Sequence, residues 1–212
     1  MKVSNVPFKG TPEQELKFTG TGNKNINDLI IDTGAKVKLG SEIEVKGTFL
    51  NNGTFNANNK NIILNGFCTN SGTFNTGTSN TITFKGASFT NSGTFTAGAT
   101  NTVTLNPTGS TVTITGTGTA SNTKFNNLSL TGSGGKTLTI TGNISVNGNL
   151  TLQGSGTADA QLLTIDGNAS GSGIALSAAN TAIGKYLKVR TNIHITTDSH
   201  KYQAESSKPY TV

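Results

Sequence analysis

The chain has 212 residues, of which 32% are hydrophobic and only 12% charged, with a formal net charge of +6 and one cysteine. The positive charge comes from scattered lysines, not from a basic run interleaved with aromatics, which excludes the usual footprint of a nucleic-acid binder. One cysteine excludes an internal disulfide, and no apolar stretch reaches the ~20 residues that a membrane-spanning helix needs.

In chain order, residues 1–10 lack the apolar core of a secretory signal. Val6 and Phe8 align instead with Val103 and Leu105, so the chain is expected to start inside a repeat. It would then be a piece of a longer protein, or one made without its export signal, because solenoids carry caps and bare terminal coils invite edge pairing. Further along, Ile26-Asn27-Asp28-Leu29-Ile30-Ile31, Val37-Lys38-Leu39 and Ile43-Glu44-Val45 alternate apolar with polar residues. That two-residue period belongs to strands with one buried face.

Three segments then repeat almost unchanged: Phe49-Leu50-Asn51-Asn52-Gly53-Thr54-Phe55, Cys68-Thr69-Asn70-Ser71-Gly72-Thr73-Phe74 and Phe89-Thr90-Asn91-Ser92-Gly93-Thr94-Phe95. Their glycines are 19 and 21 residues apart. A period near twenty, with one turn and short strands per unit, marks a solenoid. Each unit continues into a second alternating run, in which Ile62 and Leu64, Ile82 and Phe84, and Val103 and Leu105 face inward. The Asn-Ser-Gly bend is expected to rely on the tolerance of Gly and Asn for left-handed backbone. With no helix-length segment between strands, each strand pairs in parallel with its equivalent in the next coil, about 4.8 Å along the axis. The expected fold is all-β, a right-handed parallel β-helix (β-solenoid) with coils of about 20 residues. Its core is expected to hold Phe49, Phe55, Cys68, Phe74, Phe84, Phe89, Phe95 and Leu105, with Cys68 as a small buried apolar residue.

A longer echo overlies the short one. Residues 26–31 match 125–130 at an offset of 99, and Ile43-Glu44-Val45 matches Ile144-Ser145-Val146 at 101. The repeats are regular over residues 1–153. Residues 154–212 read as irregular C-terminal coils of the same solenoid, with Gly- and Ser-rich loops and short strands around Leu162-Leu163-Thr164-Ile165, Ile174-Ala175-Leu176 and Leu187-Lys188-Val189. One helical turn is expected near residues 177–183.

Asn91-Ser92-Gly93-Thr94-Phe95-Thr96-Ala97-Gly98, Lys124-Phe125-Asn126-Asn127-Leu128-Ser129-Leu130 and the Gly142-to-Leu152 run resemble the repeats of very large secreted or surface-anchored proteins of Bacteroidota-type bacteria. They are also broadly similar to the filamentous-haemagglutinin and autotransporter adhesins. The resemblance covers roughly residues 16–152 and implies a parallel β-helix, export to the cell surface or medium, and a structural or adhesive role as stalk, fibre repeat or passenger. Such folds carry many functions, so the site must decide.

Three sets of residues are candidates for more than structure. Glu42 and Glu44 share the outer face of one strand, as a polysaccharide lyase or hydrolase would need of a carboxylate pair. Pairing with Lys36 and Lys38 would make them ordinary surface charges, and the internal copy replaces them by Asn143 and Ser145. The alternating set Lys188, Arg190 and His194 makes a basic stripe suited to a surface glycan or polyanion. Thr81 and Thr83, Thr102 and Thr104, Thr111, Thr113 and Thr115, and Thr137 and Thr139 would stack into outward files like those of ice-binding solenoids, although Thr is also simply a good strand former. No Ser-His-Asp set, phosphate-cradling loop or calcium repeat occurs, so neither catalysis nor a cofactor or metal is expected. The partners expected are a surface glycan or neighbouring copies of the same chain.

Overall fold

The computed structural model describes the backbone of residues 3–22, 24–117, 122–132, 136–147, 150–152, 162–166, 173–176 and 186–190, and the side chains of 5–22, 24–117, 122–132 and 136–147. The expected helical turn at 177–183 and the candidate His194 lie outside these residues. Lys188 and Arg190 belong to a described strand but not to the described side chains.

The chain winds as a β-solenoid whose coils recur about every 21 residues. The coils run β1 (Val3–Phe8) and β2 (Glu13–Leu16), then β3 (Asn25–Ile31) and β4 (Lys36–Leu39), then β5 (Ile43–Val45), β6 (Phe49–Asn51) and β7 (Thr54–Asn56). Next come β8 (Ile62–Leu64), β9 (Cys68–Asn70) and β10 (Thr73–Asn75), then β11 (Thr81–Phe84), β12 (Ser88–Asn91) and β13 (Thr94–Thr96). They are followed by β14 (Thr102–Leu105), β15 (Thr111–Gly116) and β16 (Thr123–Phe125), then β17 (Asn127–Leu130) and β18 (Thr137–Val146). The last described strands are β19 (Leu150–Leu152), β20 (Leu162–Asp166), β21 (Gly173–Leu176) and β22 (Tyr186–Arg190).

Among the described strands every pairing is parallel and joins like positions of successive coils, which divides the surface into three faces. The first face stacks β5, β8, β11, β14, β17 and β19. On the second lie β6, β9, β12, β15, the first half of β18, then β20 and β22. The third holds β2, β4, β7, β10, β13, β16, the second half of β18, and β21. The long β1 and β3 run across the first two faces.

Most strands hold only three or four residues because two inward side chains fill one side of so narrow a core before the chain must bend. Phe55, Phe74 and Phe95 stack on the third face in register, with ring centroids 5.0 and 5.1 Å apart. Phe49, Cys68 and Phe89 form the matching file on the second face. The small Cys68 breaks that aromatic file, and there Phe74 reaches across the core to lie 5.4 Å from Phe49. All the core residues named from the sequence are buried, Phe84 at 2% exposure being the least so. Edge-on ring pairs of this kind add about 0.5–1.5 kcal/mol beyond the area they bury.

The corners are built differently from the expectation. Gly53, Gly72 and Gly93 do not adopt the left-handed conformation. At the same corner, Thr73 N–H donates to the Gly53 carbonyl and Thr94 N–H to that of Gly72, each at 2.8 Å. These bonds draw successive coils so close that a Cβ on Gly72 would collide with the Gly53 carbonyl oxygen, and one on Gly93 with that of Gly72. Glycine is present for space. Left-handed backbone is used at the corner between the third and first faces, at Asn58 (φ 50°), Asn59 (φ 61°) and Gly77 (φ 90°), and at the second-to-third corner only in other coils, at Gly34 (φ 82°) and Gly142 (φ 84°).

The hundred-residue echo also takes a different meaning. Ile43 and Val45 lie on the first face, whereas their matches Ile144 and Val146 lie on the third. Leu29 is on the second face and Leu128 on the first; Val37 is on the third and Leu138 on the second. Each match is displaced by one face in the same sense, so the copy is offset by a fraction of a coil. The three faces are built on the same local pattern, so a sequence match reads the face pattern and not the coil.

Candidate functional site

The first candidate lies on the first face near its lower end. Glu44 sits on β5, flanked by the inward Ile43 and Val45, with Glu42 just before the strand. A shallow open groove runs beside them, lined by Gly20, Thr21, Lys24, Asn25 and Asn61 together with the two glutamates. Lys36 and Lys38 are on β4 of the third face and are not the counterions. Lys24 Nζ is instead 3.0 Å from Glu42 Oε1, and Lys46 Nζ is 2.5 Å from Glu44 Oε1. Asn65 Nδ2 also donates to Glu44 Oε1, at 2.9 Å.

The hydrogen bond from Lys46 is the main influence on Glu44 and holds its carboxyl below the usual range, against the opposing effect of burial. A glycosidase acid needs the reverse, a carboxyl kept protonated near neutral pH by apolar surroundings. Glu44 is thus placed as an ion-pair partner of Lys46. Since Glu44 and Ser145 lie on different faces, the replacement of the pair in the internal copy carries no information about it. Among the described residues, no three His, Cys, Asp or Glu side chains gather into a metal site.

The basic stripe can be placed only by backbone: Lys188 and Arg190 pair with Thr164 and Asp166 on the second face. Cys68 is fully buried, and burial pushes its thiol well above the ordinary range, which leaves it unreactive in the folded chain.

The threonines are brought together. On the first face, Thr81, Thr102 and Asn127 stand in register, as do Thr83, Thr104 and Ser129. On the second, Ser88, Thr113 and Thr139 form one file and Thr90, Thr115 and Thr141 the next, while Thr111 stands in register with Thr137. Nearly all these side chains are half-buried between their file neighbours. Carboxylates and lysines crowd the face below them, where the sequence places Lys24, Glu42, Glu44 and Lys46. The one large hydrophobic side chain exposed among the described residues is Phe67, 63% exposed at the corner before β9.

One set of residues escaped sequence reasoning. Asn51, Asn70 and Asn91, taken there as bend residues, are fully buried and extended. Asn51 Nδ2 donates to Asn70 Oδ1 and Asn70 Nδ2 to Asn91 Oδ1, each at 2.6 Å, and Asn91 Nδ2 donates to Thr123 Oγ1 at 2.7 Å. The same amides also donate to the Thr73, Thr94 and Asn122 carbonyls of the coil above. Parity was the available signal: each Asn follows an inward Phe or Cys by two residues.

No protein-family model, curated protein or solved structure matches the chain. Its function has to be argued from the solenoid itself.

Proposed function

We propose that this chain is an extracellular structural or adhesive segment of a bacterial surface protein, a stalk, fibre repeat or adhesin passenger. The observation that carries the reading is the unbroken parallel register of three faces, locked from within by an amide ladder and a phenylalanine stack. A column bonded coil to coil along its whole described length is suited to bearing load and presenting a surface. The low charge and hydroxyl-rich exterior suit a molecule that stays hydrated without folding on itself. The carboxylates a lyase or hydrolase would use are each held by a lysine, which supports the structural reading over the enzymatic one. Among the described residues, no helix is long and apolar enough to cross a membrane.

Antibodies against this segment should label intact cells of the producing organism, and protease added to those cells should remove the label. Label that appears only after lysis would overturn the reading. Measurable glycan turnover by the purified chain, lost in Glu42→Gln or Glu44→Gln, would replace it by the enzymatic one.

A further inference from the structure

The field of hydroxyl files on the first and second faces is the largest feature that a supporting role leaves unused. Its geometry is set by backbone: neighbours such as Thr83 and Thr104 are held about 4.8 Å apart across the ladder, and the files two residues apart along a strand at about 6.7 Å. The array is thus periodic in two directions. Threonine is stiff about its first side-chain torsion, and half-burial against file neighbours holds its methyl and hydroxyl further. None of the hydroxyls of Thr83, Thr104, Thr90, Thr115, Thr113 or Thr139 is engaged by another group of the protein. The amide ladder and ring stack beneath these faces keep the array from deforming, so the ordering entropy of a binding surface is met in advance by the fold.

The chemistry of the field narrows its occupant. Among the described side chains the files themselves carry no charge, and Lys85, at the corner between the two faces, gives a polyanion no row of cations to follow. The field's one exposed aromatic ring among the described residues, Phe67, precedes β9 and so stands one coil below Ser88 at the end of a file, a single ring against a face of hydroxyls. What remains is a rigid lattice of alternating methyls and free hydroxyls at few-ångström spacings, which fits a partner that is itself a repeating array of hydrogen-bonding oxygens. We propose that this threonine field is an ice-binding surface, which holds a crystal face through water ordered between the files. The proposal does not depend on where the chain is located.

The test uses the full chain in a nanolitre osmometer, with single ice crystals grown just below melting. The parent should facet the crystals and hold them unchanged over a measurable gap between melting and growth. Thr104→Tyr and Thr115→Tyr, which place a bulky ring in the field, should each reduce that gap several-fold, while Thr94→Tyr on the third face should leave it intact. Circular dichroism and melting curves check that all three variants keep the fold. Rounded crystals with no gap would overturn the proposal, as would equal losses in Thr94→Tyr and Thr104→Tyr. So would binding to cellulose or chitin particles without faceting of ice, which would make the partner a crystalline polysaccharide. Concentration-dependent dimers abolished by Thr104→Tyr, again without faceting, would assign the field to a second copy of the chain.

Discussion

Asn70 receives a hydrogen bond from Asn51 and gives one to Asn91 in a core that excludes water. A buried amide is costly when unpaired and nearly neutral when satisfied, so each member depends on the next. Asn70→Ala leaves the Asn91 oxygen without its donor and the Thr94 carbonyl without the Asn70 amide. The loss should be roughly 2–4 kcal/mol. Urea titration should show it as a lower midpoint, whereas Asn52→Ala, outside the ladder, should stay within about 0.5 kcal/mol of the parent. A midpoint unmoved by Asn70→Ala would show that the ladder does not hold the coils in register. Cys68 illustrates the opposite economy of size. It stands in an aromatic file between Phe49 and Phe89, and the space it leaves lies where Phe74 meets Phe49.

At the scale of the element, strands of three residues have almost no stability of their own and exist because the coils on either side pair with them. Their boundaries are set by the corners, where backbone meets backbone. Gly72→Ala would force its new methyl onto the Gly53 carbonyl, with no flexible side chain to yield. It should cost about 2 kcal/mol or more, as overpacked cores do. Gly109→Ala, where nothing lies within 4 Å of the added carbon, should be neutral within about 0.5 kcal/mol. Thermal melts of the two variants measure the contrast, and equal melting points would show that the corner can relax. A glycine in Asn-Ser-Gly reads in sequence as a turn residue; its actual reason, the approach of another coil, concerns a residue about twenty positions away.

At the scale of the whole molecule, a solenoid is close to one-dimensional, its stability being the sum of each coil and its contacts with two neighbours. The coils from Phe49 to Phe95 hold both the amide ladder and most of the ring pairs. Their strand amides should therefore exchange with deuterium most slowly, and those of β1, paired only with β3 among the described strands, distinctly faster. Uniform exchange along the column would mean that it opens as one unit. The alternation of apolar and polar residues, and its return every twenty or so, determined from sequence alone that the chain is a parallel β-solenoid with Phe55, Phe74 and Phe95 stacked inside. That much is local: periods of two and of twenty depend on no knowledge of what lies opposite. Tertiary structure alone decided that Lys24 and Lys46, not Lys36 and Lys38, neutralise the two glutamates, and that the hundred-residue echo slips by one face. It also decided that threonines from separate coils stand in shared files. Each of these depends on how many residues every corner consumes, since that number sets which face a side chain reaches and which neighbour it meets there.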